Sequence, residues 1–538
     1  MSPRRTSRRS GGRSARHDAA KRDANAAFGA RGMPSGAVRS LTDRDKSHIH
    51  AAALDILETV GFGDAPDFTR ERLTAAGCRL DDAGRVRFPR SLVEDTIARA
   101  NRALVLHGQR PEHDIDASGS KTWFSTGCGS IRIVDPASRT TRPTTAADVY
   151  DFARLVDSLD HIHMFHRLGI PTDIEDTDDV DINLCYACVR GTSKPVSTSW
   201  FNAENVRRSI EMLGIVAGGE AQWRRRPFVL NTCCFVVAPL RFAPESCLGL
   251  EHSVRGGMPV QSTSAGQMGA TAPVSVAGTL VQTVAEVLGG LVYAYQVSPD
   301  AKVMLGTWPM VSDLRTGAAT TGSAEQGLVS SASCQMARFY GIPNGSISGI
   351  ADSKLPDAQS GFEKGVQHAL VGNSGGNVLF CAAGALAAGL GCSHAGVVID
   401  NEIIGTALRT VAGFEVNEET MAVDMIRDVC LSGPGHYLGH EATLGQMKRG
   451  FYYPALSDRS GMNDWQERGS RSMLDHATAH ARRILDSHFP GHVCAAADAE
   501  VRARFDILLP PERCRRAVAE EPAGSLAGAR RPGCAGTT

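Results

Sequence analysis

Three stretches of the 538-residue chain gather side chains that could do chemistry. The first, Trp308-Pro309-Met310-Val311-Ser312-Asp313-Leu314-Arg315-Thr316-Gly317, places an aromatic ring, a carboxylate and a guanidinium close together in sequence, enough to build a pocket for an organic cation. The second, Ala351-Asp352-Ser353-Lys354-Leu355-Pro356-Asp357-Ala358-Gln359-Ser360-Gly361-Phe362-Glu363-Lys364, crowds ionisable groups between an apolar run and a helical one. The third, Trp200-Phe201, offers ring faces of the kind that hold a permanent cation beside a carboxylate. Each also has a plainer reading. Asp357 suits a helix N-cap, Glu363 and Lys364 an exposed helix face, Asp313 with Arg315 a turn-stabilising pair, and Trp200-Phe201 ordinary packing.

Two further patterns bear on metals. In His161-Ile162-His163-Met164-Phe165-His166 the alternating imidazoles of a strand could ligate an ion, as in a metal-dependent barrel hydrolase using His161 and His163. A buried or surface role for them is the alternative. Cys185-Tyr186-Ala187-Cys188 is a CxxC, but the chain has no second one, and two small thiols one helical turn apart are ordinary core residues. No metal is assigned. Neither GxxxxGK[ST] nor a strand-anchored GxGxxG occurs, so a phosphate cradle is not indicated.

The elements that must position these residues recur. Strand-like runs at 195–200, 228–237, 259–264, 302–308, 345–350 and 377–382 alternate with helical periods at about 202–217, 245–255, 276–296, 323–340, 358–372 and 385–392. Such βα repeats close most economically as an α/β fold, a (β/α)8 TIM barrel, whose chemistry sits in the loops after the strands. The barrel domain is assigned to residues 143–488, its first helix opening at Thr145-Ala146-Ala147-Asp148 like a capping box. Residues 41–142, a helix followed by short strand-like runs, form an N-terminal subdomain, and 489–538 a C-terminal extension, partly disordered.

Residues 1–40 read as a basic, solvated tail: positions 1–32 hold eight Arg and one Lys against two Asp. With 57 Lys+Arg against 58 Asp+Glu overall, the remaining body is acidic. Nucleic-acid binding by the tail is the lesser reading. The composition, 42% hydrophobic and 21% charged, fits a globular protein. The most suspicious apolar stretch, 375–399, is broken by Ser393 and His394 and reads as buried barrel rather than membrane. With no apolar segment after the basic start, the 14 Cys are expected as reduced thiols in a cytoplasm.

The runs Ser312-Asp313-Leu314-Arg315-Thr316-Gly317, Ala351 to Gln359 and Val398-Ile399-Asp400-Asn401-Glu402 resemble those of the trimethylamine methyltransferase family. So do Gly413-Phe414-Glu415-Val416, Gly433-Pro434-Gly435-His436-Tyr437-Leu438, Tyr453-Pro454-Ala455-Leu456-Ser457-Asp458-Arg459 and Trp465. The resemblance extends over about residues 45–488. It implies a barrel that passes a methyl group from a methylated amine to the cobalt of cobalamin carried by a separate corrinoid protein docked over the mouth. Archaeal trimethylamine enzymes of the family carry pyrrolysine in the site, whereas this sequence has only standard residues. In this it is similar to the non-pyrrolysine branch, whose characterised members act on quaternary amines such as glycine betaine.

A quaternary nitrogen leaves as a neutral amine, so the protein must chiefly hold and orient it. We read Asp313, Asp352 and Lys354 as the catalytic group. Trp308 belongs with the two acids in the cation cage, and Trp200 and Phe201 are further ring candidates. Arg315, Lys354, Gln359 and His394 are candidates for a substrate carboxylate, and Glu402 could face the same mouth. Membrane partners are not expected, and assembly as a homo-oligomer stays open.

Overall fold

A computed structural model describes residues 33, 34, 36 and 38–515; the basic tail over 1–32 and positions 516–538 of the extension lie outside the described residues. Eight parallel strands form the centre: β1 (Lys121–Thr126), β2 (Phe165–His166), β3 (Val196–Thr198), β4 (Val229–Cys233), β5 (Val260–Ser264), β6 (Val303–Thr307), β7 (Asn344–Ile347) and β8 (Val378–Ala383). Each pairs in parallel with its sequence neighbour from β2 through β8, and β8 returns to β1. The ring is completed between β1 and β2 by two isolated bridges, Ser125 to Met164 and Cys128 to Leu168. This is the (β/α)8 barrel expected from the repeats.

A helix follows every strand: α1 (Ala146–Asp157), α2 (Thr177–Gly191), α3 (Ala203–Ala217), α4 (Pro244–Arg255), α5 (Val276–Val297), α6 (Ala324–Tyr340), α7 (Ala358–Gly372) and α8 (His394–Val411). Their starts are written in the sequence as caps. Thr145 and Asp148 form the reciprocal capping box of α1, and Asn202, Ser323 and Asp357 accept backbone N–H groups at α3, α6 and α7. α5 is long and apolar enough to cross a membrane by length and composition, but 78% of its apolar window is buried in this core.

Alternation along the strands separates two apolar layers. Outward residues such as Phe124, Phe165, Val229, Val303 and Leu379 pack under the helices, and inward ones such as Trp123, Met164, Leu230, Met304 and Val378 fill the barrel. Leu104, Leu106, Ile115 and Ala117, from the small strand pair Val105–Leu106 and Ile115–Asp116, join the inner cluster and close its amino-terminal end. The barrel mouth is therefore the end left for chemistry.

The structure differs from the sequence reading in three places. The barrel begins at Lys121, inside the stretch 41–142 given to the N-terminal subdomain, because β1 is a strand with no helix immediately before it to announce it. The short run around His166 is barrel strand β2. The helix expected over 385–392 is a small hairpin, Ala385–Leu386 with Gly391–Cys392, and the helix after β8 starts only at His394. Gly384 and Gly389 adopt φ near +90° there and turn the chain where Ala and Leu spacing alone suggests a helix. The extension beyond 488 is ordered through residue 515, with the helix Ala495–Arg504 packed against α3 and Asp498 bonded to Tyr186 of α2.

Candidate functional site

The upper layer of the barrel interior is polar and aromatic where the lower layer is aliphatic. His166, at the end of β2, turns inward, and its Nδ1 lies 3.1 Å from Ser197 Oγ on β3, which bonds in turn to Thr232 Oγ1 on β4. Its ring meets Trp308 at 5.7 Å and Phe380 at 5.6 Å between centroids, both edge to face, and Trp308 and Phe380 lie 5.2 Å apart. Three rings from β2, β6 and β8 thus converge across the axis. Two glycines make the room: a Cβ on Gly127, at φ +151°, would fall 2.4 Å from the His166 ring, and one on Gly345 would fall 2.5 Å from the Phe380 ring.

The electrostatics of this floor suit a cation that brings its own charge. Burial, with Arg167 beside it, holds His166 neutral, well below the usual imidazole range. Trp308 Nε1 is buried with no hydrogen-bond partner, as is Gln261 Oε1. Buried polar atoms are rarely left so, and those in this layer mark a place prepared for something else.

Arg167 follows His166 directly in the chain. Its Nε and Nη2 donate to Ser199 Oγ at 3.2 and 2.8 Å, while Nη1 is buried without a partner. Among the described residues no carboxylate lies within ion-pair distance of it. Burial lowers its pKa from the usual guanidinium range. Its neighbours include Cys188 and Asp181 of α2 together with Cys128 and Cys234. A hydrogen bond from Cys381 pulls the Cys128 thiol below its ordinary range, against burial and with help from Arg167.

Of the residues singled out in the sequence, Trp308 alone reaches this floor. Asp313 and Arg315 close on each other: the carboxylate accepts the backbone N–H of Arg315 at 2.9 Å and its Nε and Nη2 at 3.1 and 2.9 Å, which holds Asp313 down at about 2. Arg315 is 89% exposed, so the turn-pair reading is the one realised. Asp352 accepts from Thr320 Oγ1 at 2.6 Å and Thr321 N at 2.8 Å, fastening the loop after β6 to that after β7. Lys354 is exposed and folds back on the Asp352 carbonyl, and Gln359 is exposed and donates to Glu363.

Glu363 and Lys364 are buried, contrary to an exposed helix face, because Glu363 accepts the N–H groups of Asp352 and Ser353 and Lys364 forms a 2.6 Å ion pair with Asp400 of α8. Trp200 donates to Ser209 Oγ, and Phe201 is 52% exposed; both line a cavity of about 180 Å3 with Ser199, Cys234 and Glu245. His394 stacks on Phe152 of α1 at 4.4 Å, in the helical layer outside the barrel. Glu402 is also away from the mouth, accepting the N–H groups of Ala455, Leu456 and Ser457 and so clasping the returning chain to α8.

The metal patterns separate likewise. The His163 ring lies against Trp123 and accepts from the Phe124 N–H near the lower end of β1, while His161 packs on Tyr452, held neutral by burial at about 4. Cys185 and Cys188 lie in the α2 core, their thiols pushed up by burial. Among the described residues no group of three His, Cys, Asp or Glu could hold a metal ion. Arg167 and Phe380 were not singled out by the sequence, and His166 entered it only as part of a strand whose imidazoles could ligate a metal; the signal for its place on the floor was its inward position two residues after Met164.

Comparison with known proteins follows this geometry. A family model described as trimethylamine methyltransferase (MTTB) matches residues 8–506. The chain is 31% identical over 456 residues to trimethylamine methyltransferase MttB of Desulfitobacterium hafniense (strain DSM 10664 / DCB-2), covering 84% of this chain and 90% of that one. It is 31% identical over 468 residues to glycine betaine methyltransferase of Desulfitobacterium hafniense (strain Y51), covering 86% and 95%. Among solved structures, the Methanosarcina barkeri monomethylamine methyltransferase (MtmB) aligns with 89% of this chain and 99% of its own at 14% identity and a TM-score of 0.45.

Proposed function

The chain belongs to the trimethylamine methyltransferase family, and from that premise we propose that it moves a methyl group from a quaternary methylated amine, of the glycine betaine type, to the cobalt of a corrinoid carried by a separate protein. It is an enzyme of the methyltransferase class. The observation that carries the substrate reading is the convergence of His166, Trp308 and Phe380 on the floor of the mouth.

A ring face attracts an organic cation by about 0.5–2 kcal/mol, more when water is excluded. The neutral His166 adds no repelling charge, and of the two acids assigned to the cage from sequence, Asp313 is engaged by Arg315 and Asp352 by Thr320 and Thr321. The site therefore retains a cation without an ion pair, which leaves its methyl groups free of polar contacts. Transfer breaks one C–N bond with the electron pair staying on nitrogen, so the departing amine is neutral and needs no acid. The standard residues of this mouth suffice for that leaving group, whereas a tertiary or less substituted amine needs further activation. Holding the reacting methyl on the barrel axis replaces orientation that free reactants must find by collision.

When docked, a Co(I) corrinoid supplies the two-electron nucleophile. The loops after β1, β3, β4, β5, β6 and β8 each lift one bare apolar side chain, Ile131, Phe201, Val237, Val274, Leu314 and Leu390, 44–65% exposed. Such a rim suits a protein that covers the mouth and excludes water. We place the reaction in the cytoplasm, where the described cysteines, all free, remain thiols.

The test is calorimetry of the purified protein against glycine betaine, proline betaine, carnitine, choline and trimethylamine, followed by incubation of each with Co(I)-cobalamin while the visible spectrum is recorded. Spectral conversion with a quaternary amine and not with trimethylamine is expected. Conversion with trimethylamine alone, or with none, overturns the reading.

A further inference from the structure

After α8 the chain leaves the barrel on an arm that a single copy does not cover. Arg409, in the last turn of α8, donates to the carbonyl of Gly413 at 2.8 Å and to that of Gly450 at 3.4 Å, so the excursion starts and ends at one guanidinium. Between these glycines stand three short helices, Glu418–Met421, Val423–Leu431 and Glu441–Arg449. Helices of this length are marginal in water unless tertiary packing supports them. None of the three packs lengthwise on another helix or strand, and over residues 413–447 Val429 alone is buried among the described residues. One open cleft, of about 690 Å3, lies between α8 and the helix Glu441–Arg449, and another, of about 680 Å3, lies among the three helices.

What the arm shows to solvent is apolar. Phe414, Val416, Leu431, Leu438, Leu444 and Phe451 are each more than half exposed. At on the order of 100 Å2 apiece, these six reach the upper end of the apolar surface that a monomer leaves bare, and a stable dimer takes about 800 Å2 from each partner. The helix Val423–Leu431 tells the same in its spacing. Met425 and Val429 form its sheltered side, whereas Val423, Ile426 and Cys430, at i, i+3 and i+7, line a second, bare one. A helix apolar on two sides belongs between two layers, and one chain provides only one of them.

The place of the arm selects what covers it. α8 runs back along the outside of the barrel, and near its end Thr410 is bonded to Asn373 just past the end of α7, so the arm springs from the end opposite the mouth. A protein docked over the mouth leaves it bare. The chain's other segments bring little to it: positions 1–32 hold Met1 and Phe28 as their only large apolar residues, and positions 516–538 hold Val518 and Leu526. A second copy brings an equal set of bare apolar side chains. We propose that residues 413–451 are a homodimerisation arm, laid against the arm of a second copy about a two-fold axis, with both mouths left open to other partners.

Sedimentation velocity of the full chain at micromolar concentration tests this, and the expected mass is that of two chains or an even multiple. In the double variant Leu431→Glu with Leu438→Glu, whose positions are bare in one copy, the mass falls to a single chain while the far-ultraviolet dichroism is kept. A variant that joins Gly413 to Gly450 through two glycines does the same, and it stands in for the double variant should that one not fold. Cys430 is expected to react with iodoacetamide at least about tenfold more slowly in the assembled wild type than in the dissociated double variant. Truncation of residues 1–32 leaves the mass unchanged. A wild type that sediments as one chain overturns the proposal, as does association that survives loss of the arm or an equal rate at Cys430. Association lost with residues 1–32 while the arm is intact overturns it too, and makes the basic tail the cover.

Discussion

The floor of the mouth and the loop between β7 and α7 make an instructive pair. The loop is much the richer in ionisable residues, yet its carboxylates all have internal partners: Asp352 takes Thr320 and Thr321, Asp357 caps α7, and Glu363 accepts from Asp352, Ser353 and Gln359. The floor is poorer in charge but leaves Trp308 Nε1 and Gln261 Oε1 without partners. The density of polar residues measures how hard a loop is to build. Polar capacity left unused inside the protein marks where a ligand is to complete the structure.

Acid sharpens this contrast most. His161, His368 and His492 are buried like His166, and burial holds them at about 4, 3 and 4 against an ordinary 6.5. Between those values the unfolded chain binds protons that the folded chain refuses, so stability is complete above about pH 6.5 and is lost as pH falls toward 4. Each imbalance of two pH units or more amounts to about 3 kcal/mol. Denaturant midpoints taken from pH 7.5 down to 4.5 should fall steeply, and His161→Phe, which removes one such imidazole, should flatten the curve; an unchanged slope would count against desolvated imidazoles as the cause. Amine affinity, by contrast, should be level from pH 6.5 to 8.5, since no ring of the cage titrates there.

The next effect falls on the floor itself. Trp308→Leu stays apolar but removes the indole face, which should weaken quaternary-amine binding by about 10- to 30-fold, while the smaller side chain costs about 1–3 kcal/mol of unfolding free energy. Titration calorimetry beside thermal unfolding reads both. A loss of stability with affinity intact would make Trp308 a packing residue and dissolve the distinction between the two regions.

The smallest effect belongs to the loop. Asp352→Ala frees Thr320 and Thr321 from the β7 side and should cost about 1–3 kcal/mol of unfolding free energy, seen as a lower denaturant midpoint. Amine affinity should change less than in Trp308→Leu. The opposite ranking would return Asp352 to the cage where the sequence placed it.

The parts of the barrel that were legible were those with local signatures. β3 to β8 are runs of β-branched and apolar residues closed by Gly, Pro or Ser, and all but one of the following helices open on recognisable caps or periods. β1 and β2 lack this. Lys121 to Thr126 follows several other short strand-like runs, and β2 spans only Phe165–His166, too short for alternation to show. The site suffered from a related gap: the run holding His166 was read as a strand for its alternating imidazoles, but not as a member of the barrel, so the ring was assigned to a metal rather than to the mouth. Trp308 was legible because it ends a long apolar strand. Asp313, Asp352, Lys354 and Gln359 were attractive by type alone, and only coordinates reveal that their bonds are made to the loops and helix start around them. Phe380 gave no signal at all: an aromatic in an apolar strand reads as core until its neighbours across the axis are known.

The joint between β1 and β2 is fastened twice over. Beside the two isolated bridges, Thr126 and Cys128 donate backbone N–H groups to the carbonyls of Met164 and Arg167, and His163 and Gly169 donate back to those of Phe124 and Cys128. The hydroxyls of Ser125 and Thr126 add bonds to the Met164 and His166 carbonyls. These residues stand on both sides of Gly127, whose missing side chain admits the His166 ring, so the narrow slot that the ring occupies is set by main chain and side chains together.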